Sequence, residues 1–312
     1  MSALTVSPED VKRVKALGFL NNKGTDNFSG RVLTVNGKIT AEQHKCIAEA
    51  AELFGNGNIT FTTRLSVEVQ GIPYEKIDDF RNYVAKAGLQ TGGTGAKVRP
   101  VVSCKGTTCQ YGLLDSFAIS EEIHKRFFEG YSDVALPHKF KIAVGGCPNN
   151  CLKPDLNDVG IIGQLVPAHD LEKCKGCKKC KIEKACPMHA CKVVDKKITR
   201  DENICNHCGR CVGKCPFDVV DGKVRGFKIY VGGRWGKKIS VGKPLSKIFT
   251  DLEEALNVIE KTILLFKDQG IKGERFEETI NRIGFENVEK QLLSDDLLNR
   301  KEEIIKKELL TK

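Results

Sequence analysis

The chain has 312 residues, 40% of them hydrophobic and 29% charged. That is a soluble, globular composition with room for one large domain or two to three smaller ones. No apolar run approaches the ~18 residues of a membrane span, and Met1 to Lys15 carries Glu9 and Asp10 instead of an apolar stretch, so no secretory signal is expected. The net charge of +10 would suit nucleic acid, but the basic residues are not interleaved with aromatics, which make up only 7%. An anionic substrate or cofactor, or an acidic redox partner, accounts for the same excess.

Fourteen cysteines narrow the field. A disulfide framework spaces its cysteines through a short secreted chain; here they sit in tight clusters along a long one. They read as metal ligands kept reduced in the cytoplasm.

In chain order, residues 27–90 predict one β-α-β-α unit. Thr40 and Gln43 form a capping box for a helix over 41–54. Residues 58–70 alternate strictly, which predicts a strand with Ile59, Phe61, Leu65 and Val67 on its core face and Arg64 on its polar face. A second helix is expected over 74–87, with Ile77, Phe80 and Val84 as its apolar stripe. Gly92-Gly93-Thr94-Gly95 lacks the ending of a phosphate loop and reads as a flexible linker. Strands and a helix alternate over 97–165, residues 170–220 turn into short cysteine-rich loops, and an ordinary pattern resumes after Gly222. The cysteine-rich block therefore reads as an insertion into a larger domain.

Within that block Cys205, Cys208, Cys211 and Cys215-Pro216 match the bacterial ferredoxin run Cys-x2-Cys-x2-Cys-x3-Cys-Pro. Such spacing wraps one loop around a cubane, and the fourth cysteine ligates the other cluster of the pair. Cys174, Cys177, Cys180 and Cys186-Pro187 repeat the pattern with five residues in the last gap. Zinc ribbons separate their pairs by roughly 15–20 residues, so two [4Fe-4S] clusters fit better. One is expected on Cys174, Cys177, Cys180 and Cys215, the other on Cys186, Cys205, Cys208 and Cys211, with Cys191 an alternative to Cys186. Six lysines (Lys173, Lys175, Lys178, Lys179, Lys181, Lys184) flank the first set, either as a solvated face or as a dock for an acidic electron donor. Cys46, on an amphipathic helix, reads as a small buried hydrophobe.

Two further pairs, Cys104-x4-Cys109 and Cys147-x3-Cys151, form a third cluster-binding set, a spacing zinc would also tolerate. The segments Ser103-Cys104-Lys105-Gly106-Thr107-Thr108-Cys109 and Gly145-Gly146-Cys147-Pro148-Asn149-Asn150-Cys151 resemble the sirohaem-plus-cubane signature of the nitrite and sulfite reductases. The family's first gap usually holds five residues, where this chain has four. With its inserted ferredoxin the chain is most similar to the C-subunit type of the anaerobic sulfite reductases, over roughly residues 27–285.

The resemblance implies an α+β/α/β fold, half of a nitrite/sulfite reductase. It consists of a ferredoxin-like half domain over 1–92, the sirohaem/[4Fe-4S] domain in two parts over 93–166 and 222–312, and a 2[4Fe-4S] ferredoxin insert over 167–221. It implies sirohaem and a third [4Fe-4S] cluster bridged by Cys151, with Arg31, Arg99, Lys139 and Lys141 binding substrate. Arg64 and Gly232-Gly233-Arg234 would contact sirohaem, the latter being equally consistent with a plain hairpin turn. Lys139 and Lys141, two apart, are expected on one face of a strand. The reaction implied is six-electron reduction of sulfite to sulfide, with nitrite reduction or a non-catalytic electron-transfer role as the rival readings. Electrons would come through the ferredoxin clusters from separate flavin and iron–sulfur subunits, since the chain has no nicotinamide or flavin fingerprint. Family members pair two related halves, which for a single half implies a homodimer within a larger complex, with neither nucleic acid nor membrane as partner.

Overall fold

The capping box at Thr40 forms as the sequence predicts: the Gln43 amide donates to Thr40 Oγ1 at 3.1 Å, and the Thr40 amide to Gln43 Oε1 at 3.0 Å. In the computed structural model, which describes residues 5–311, that helix is one of a sequential series. The first elements are α1 (Pro8–Ala16), β1 (Phe19–Asn21), β2 (Asn27–Val32), α2 (Ala41–Phe54), β3 (Ile59–Phe61), β4 (Val67–Pro73) and α3 (Ile77–Ala85). There follow β5 (Val102–Ser103), α4 (Ser116–Ile123), β6 (Ile142–Gly145), β7 (Val159–His169), α5 (Lys181–Ala185), β8 (Cys191–Val194) and β9 (Lys197–Arg200). The chain ends with β10 (Val220–Val231), β11 (Lys243–Phe249), α6 (Leu252–Gln269), α7 (Phe276–Ile283), α8 (Phe285–Leu293), α9 (Asp296–Asn299) and α10 (Lys301–Lys306). Two units emerge: Met1–Ser103 with Ala118–Ile142 and Glu260–Lys312, and Cys104–Phe117 with Ala143–Ile259.

In the first unit β1-β2-β4-β3 form an antiparallel sheet. Alternation places Phe28, Val32, Val67 and Val69 on one face, where they pack with Ile47 of α2 and Phe80 of α3 into a buried core. Phe19 meets Phe80 edge to face at 5.9 Å. The strand expected over 58–70 is instead a hairpin. Ile59 pairs with Val69 and Phe61 with Val67, and the Leu65 amide closes the turn on Thr62 O at 3.0 Å with Leu65 at φ 60°. Period-two alternation runs through a tight hairpin unbroken, so the pattern conceals the turn. Arg64 accordingly lies in the turn, not on a strand face, and Phe61 is 71% exposed.

Two more expectations are corrected in this unit. Residues 92–95 are packed, not a loose linker: Gly92 donates to Arg31 O at 3.1 Å, and a Cβ on Gly18 would lie 2.5 Å from Gly92 N. Cys46 is half-buried, with its thiol directed at Tyr83 O. Phe140, Phe266 and Phe276 form a buried aromatic trio with centroids 5.2–5.8 Å apart.

In the second unit β11, β10, β7 and β6 are neighbours in that order. The β7–β10 pair is its spine, antiparallel from Val159↔Val231 to His169↔Val220. The strand predicted near Phe227 thus begins seven residues earlier, at Val220. The cysteine-rich segment leaves at the end of β7 and returns at the start of β10, where the Asp170 amide donates to Val219 O at 2.8 Å. Between them lie α5 and the β8–β9 hairpin, with a small core of Ile182, Cys191, Ile198, Cys211, Val219 and Val220. The pairings β1–β2, β2–β4, β3–β4, β7–β10 and β10–β11 are all antiparallel, which gives the fold its α+β character.

Candidate metal centre

Cys104 and Cys147 end up side by side because two glycine-bearing loops pack backbone to backbone. The Cys104 amide donates to Val144 O of β6 at 3.0 Å, and its thiol accepts the Gly146 amide at 3.1 Å. A Cβ on Gly106 would meet Gly146 Cα at 2.8 Å, and one on Gly112 would lie 1.9 Å from Gly106 O. Only glycine fits there. The four-residue gap between Cys104 and Cys109 is taken up by one 3-10 turn over Gly106–Thr108. Ser116 holds its start, donating to Cys104 O at 2.7 Å. The roles of Gly106, Gly112, Gly146 and Ser116 are not legible in the sequence; only the pairing of the two loops reveals them.

Cys151 is exposed at the far end of the second loop, while Cys104, Cys109 and Cys147 are half-buried. Burial pushes the Cys147 thiol up, a backbone bond from Asn149 opposes it, and Cys104, Cys151 and Cys109 push it further. The four sulfurs thus share one electrostatic neighbourhood. The loop rests on Asp155, which accepts Asn150 Nδ2 at 2.9 Å. Gly232 donates to Asp158 O at 2.9 Å, and a Cβ on Gly233 would lie 2.3 Å from Asp155 O and Asn157 O. Gly232 and Gly233 therefore brace the Cys151 loop, and Arg234 pairs with Ser240 in the connection to β11.

The cysteine-rich segment has two thiol-lined cavities. One carries Cys174, Cys177, Cys180 and Cys215. The other carries Cys186, Cys205, Cys208 and Cys211, together with Cys191. Each cavity gathers thiols from both runs of the repeat, and the second has a fifth. Cys191 is 2% exposed and shares hydrogen bonds with Cys211 and Cys186. The Cys191 thiol holds Cys211 down to about 7, and that same contact, then burial, pushes Cys191 up. A further cavity has both Cys147 and Cys208 in its wall, with Leu165, Tyr111 and Arg210. The six lysines around the first cavity are all exposed, and Lys173 is 3.0 Å from Asp170. Among the described residues no three His, Cys, Asp or Glu side chains gather around a single-ion site.

The basic residues fall in the first unit. Arg31, on β2, donates from Nε to Glu68 Oε1 at 2.9 Å. Arg64 reaches from its turn to Pro100 O at 2.5 Å and Ile142 O at 3.3 Å, so it ties backbone segments together. Arg99 gives Nη1 to Gly95 O at 3.1 Å while its Nε is buried without a partner. Burial, then repulsion from Arg31, lowers Arg99 to about 10. Lys139 and Lys141 precede β6 and do not lie on a regular strand. Between them Phe140 is fully buried in the aromatic trio and makes one bridge to Val98, while the Arg99 amide donates to Phe140 O at 2.8 Å. The parallel bridge at Phe140 sets Lys141 opposite Arg99 and Lys139 opposite Lys97 along the backbone.

Residues 94–301 match the nitrite and sulphite reductase 4Fe-4S domain, and residues 21–87 the nitrite/sulfite reductase ferredoxin-like half domain. The chain belongs to the nitrite and sulphite reductase family. It is 31% identical over 247 residues to the coenzyme F420-dependent sulfite reductase of Methanocaldococcus jannaschii, covering 78% of this chain and 38% of that protein. An uncharacterised protein of the same organism is 34% identical over 263 residues, 84% of this chain and 90% of its own. The C-subunit of the anaerobic sulfite reductase of Salmonella typhimurium is 33% identical over 162 residues, 46% of this chain and 44% of that one. The likeness to that protein therefore covers under half of the chain, whereas the family match runs along most of it. Dissimilatory sulfite reductase I superposes with a TM-score of 0.67 at 20% identity, over 85% of this chain and 69% of that one. The NirA protein of Mycobacterium tuberculosis gives 0.64 at 18%, over 98% of this chain and 48% of that one. Both show the family fold. No helix among the described residues is long and apolar enough to cross a membrane.

Proposed function

We propose that this chain is a sirohaem-dependent sulfite reductase subunit, reducing hydrogensulfite with six electrons and six protons to hydrogensulfide and three waters. The observation that carries the reading is the cavity that has both Cys147 and Cys208 in its wall, because it places a loop of the paired-cysteine set beside a ferredoxin-type loop. A chain that only carried electrons would have no use for a buried, unpartnered Arg99 Nε beside Arg31. The sulfite reductases among its relatives favour this substrate over nitrite.

The residues fit the groups that the family implies. Cys104, Cys109, Cys147 and Cys151 would hold one [4Fe-4S] cluster, and the two thiol-lined cavities would hold two more in a ferredoxin insert over 167–221. Cys151 and Arg234 would hold sirohaem, with Gly232 and Gly233 bracing the Cys151 loop. When bound, these groups would supply one-electron carriage and a haem iron at which sulfite is reduced. The protein's own part is electrostatic and protic. Arg99, still cationic at neutral pH although burial and Arg31 lower it to about 10, is a preorganised anion donor, and Arg31 adds to its field. Lys139 and Lys141 carry ammonium protons to the sulfite oxygens as these leave as water. Burial keeps the Cys147 thiol protonated until metal arrives, so loading that set releases protons.

Electrons would come from separate flavin and iron–sulfur subunits, docked on the lysine face near Cys177. The same reading takes a two-fold pair of chains as the working unit; sedimentation of a monomer at assay concentration would argue against it. Turnover with a reduced artificial donor tests the assignment. Sulfite consumed faster than nitrite is expected, with sulfide as product. Faster nitrite turnover would make ammonia the product, and no turnover by the fully loaded chain would leave an electron-transfer role.

A further inference from the structure

Arg210 and Tyr111 belong to different cysteine loops and stack on each other. The Arg210 guanidinium carbon lies 4.3 Å from the centroid of the Tyr111 ring, well within cation–π range. Arg210 sits between Cys208 and Cys211; Tyr111 follows Cys109 by two residues. Both line the cavity whose wall includes Cys147 and Cys208. The opposite side of that cavity is rigid. The Leu165 amide of β7 donates to His207 O at 2.8 Å, and a Cβ on Gly209 would lie 2.4 Å from the Leu165 side chain. Two residues back on the same strand, a Cβ on Gly163 would lie 2.5 Å from Gly146 O, next to Cys147. Backbone contacts through β7 therefore set the separation of the Cys147 and Cys208 loops on one side. On the other, the stack joins the Cys208 loop to the Cys109 loop through an aromatic residue that is 43% exposed.

We propose that the Arg210–Tyr111 stack is a clasp that fixes the spacing between the Cys208 loop and the Cys109 loop, which the Leu113 amide joins to Gly146 O of the Cys147 loop at 2.8 Å, and with it the electronic contact between the metal centres those loops hold. Electron tunnelling falls steeply with distance, so a slack of an ångström matters more here than the modest stability of one cation–π pair. Arg210 and Tyr111 are positioning residues: they act through the loops. The proposal rests on the reading that both loops carry iron–sulfur clusters.

The test uses the loaded chain with Arg210→Gln, Tyr111→Leu and the conservative Tyr111→Phe. Iron content and the electron paramagnetic resonance of reduced wild type come first: absence of clusters there would refute the functional reading and not the clasp. Given clusters, magnetic coupling between the two neighbouring reduced centres should weaken in Arg210→Gln and Tyr111→Leu at unchanged iron, and return in Tyr111→Phe, which keeps the ring. Electron passage between the centres, followed by rapid freezing, should slow several-fold in the same two variants. Undiminished coupling in both, or Tyr111→Phe behaving as Tyr111→Leu, would overturn the clasp. Should a variant lose iron, a double-mutant cycle on the thermal stability of the metal-free chain decides: non-additive effects of Arg210→Gln and Tyr111→Leu support it, additive effects overturn it.

Discussion

Five thiols around one cavity pose a question that is answered residue by residue. Cys186 caps α5, is half-buried and stands before Pro187, on a loop that can adjust as metal enters. Cys191 is pinned at the start of β8, paired with Arg200, and its thiol is already engaged with Cys211. On the reading that Cys186 is the fourth ligand, Cys191 is left as a hydrogen-bond donor to a ligand sulfur. Such donors stabilise the more negative, reduced state of a cluster and raise its potential. Cys191→Ala should keep the iron count and lower the midpoint potential of one cluster, read by redox titration. Cys186→Ala should instead lose ~4 irons, one cubane. The reverse pattern of iron loss would exchange the two roles.

Among the elements, the join between α6 and α7 depends on one carboxylate. Glu274 accepts Arg282 Nε at 3.0 Å, Arg282 Nη2 at 2.9 Å, the Ile271 amide at 3.1 Å and the Thr279 hydroxyl at 3.0 Å. Arg282 above all, then the Ile271 amide and Thr279, hold Glu274 at about 2 against the opposing effect of burial. Its folded value lies below the ordinary 4.5, so the stabilisation is present above pH 4.5 and disappears as pH falls through about 2. Glu274→Gln should cost about 1 kcal/mol at pH 7, given partial solvent screening. The gap from wild type in thermal midpoint should narrow steadily between pH 4.5 and pH 2. A gap independent of pH would mean that the carboxylate's charge contributes nothing.

At the scale of the whole molecule, the cysteine-rich segment is bracketed by a closed pair of strands. His169 faces Val220 and the Asp170 amide reaches Val219 O at 2.8 Å, so an Asn-Gly turn in place of residues 171–218 would keep the β7–β10 pairing and give up only contacts to the segment such as that of the Leu165 amide with His207 O. If the segment is an insert, the shortened chain should fold and keep the Cys104–Cys151 set. Its iron should fall from about 13 per chain, three cubanes and one sirohaem, to about 5. Loss of the β-rich circular dichroism spectrum on excision would show that the segment is integral to the fold.

What could be read along the chain was whatever is local. The capping box at Thr40, the ferredoxin spacings and the Cys147-x3-Cys151 loop are each set within a few residues, so the helix start and the clustering of the cysteines were legible without a structure. Even the crossed sharing of Cys186 and Cys215 between the two cavities follows from the repeat. Alternation failed where antiparallel strands preserve its phase, and Arg64 moved from a strand face to a turn. Lys139 and Lys141 are held by the burial of Phe140 and not by a strand. The companionship of Cys191 with Cys211, the glycine-on-glycine approach of the two cysteine loops, and the stack of Arg210 on Tyr111 join residues far apart in the chain. Ligand spacing is a short-range geometric requirement and is written into the sequence; which loops then lie within reach of one another is decided by strand pairing and core packing, and only the tertiary structure contains that.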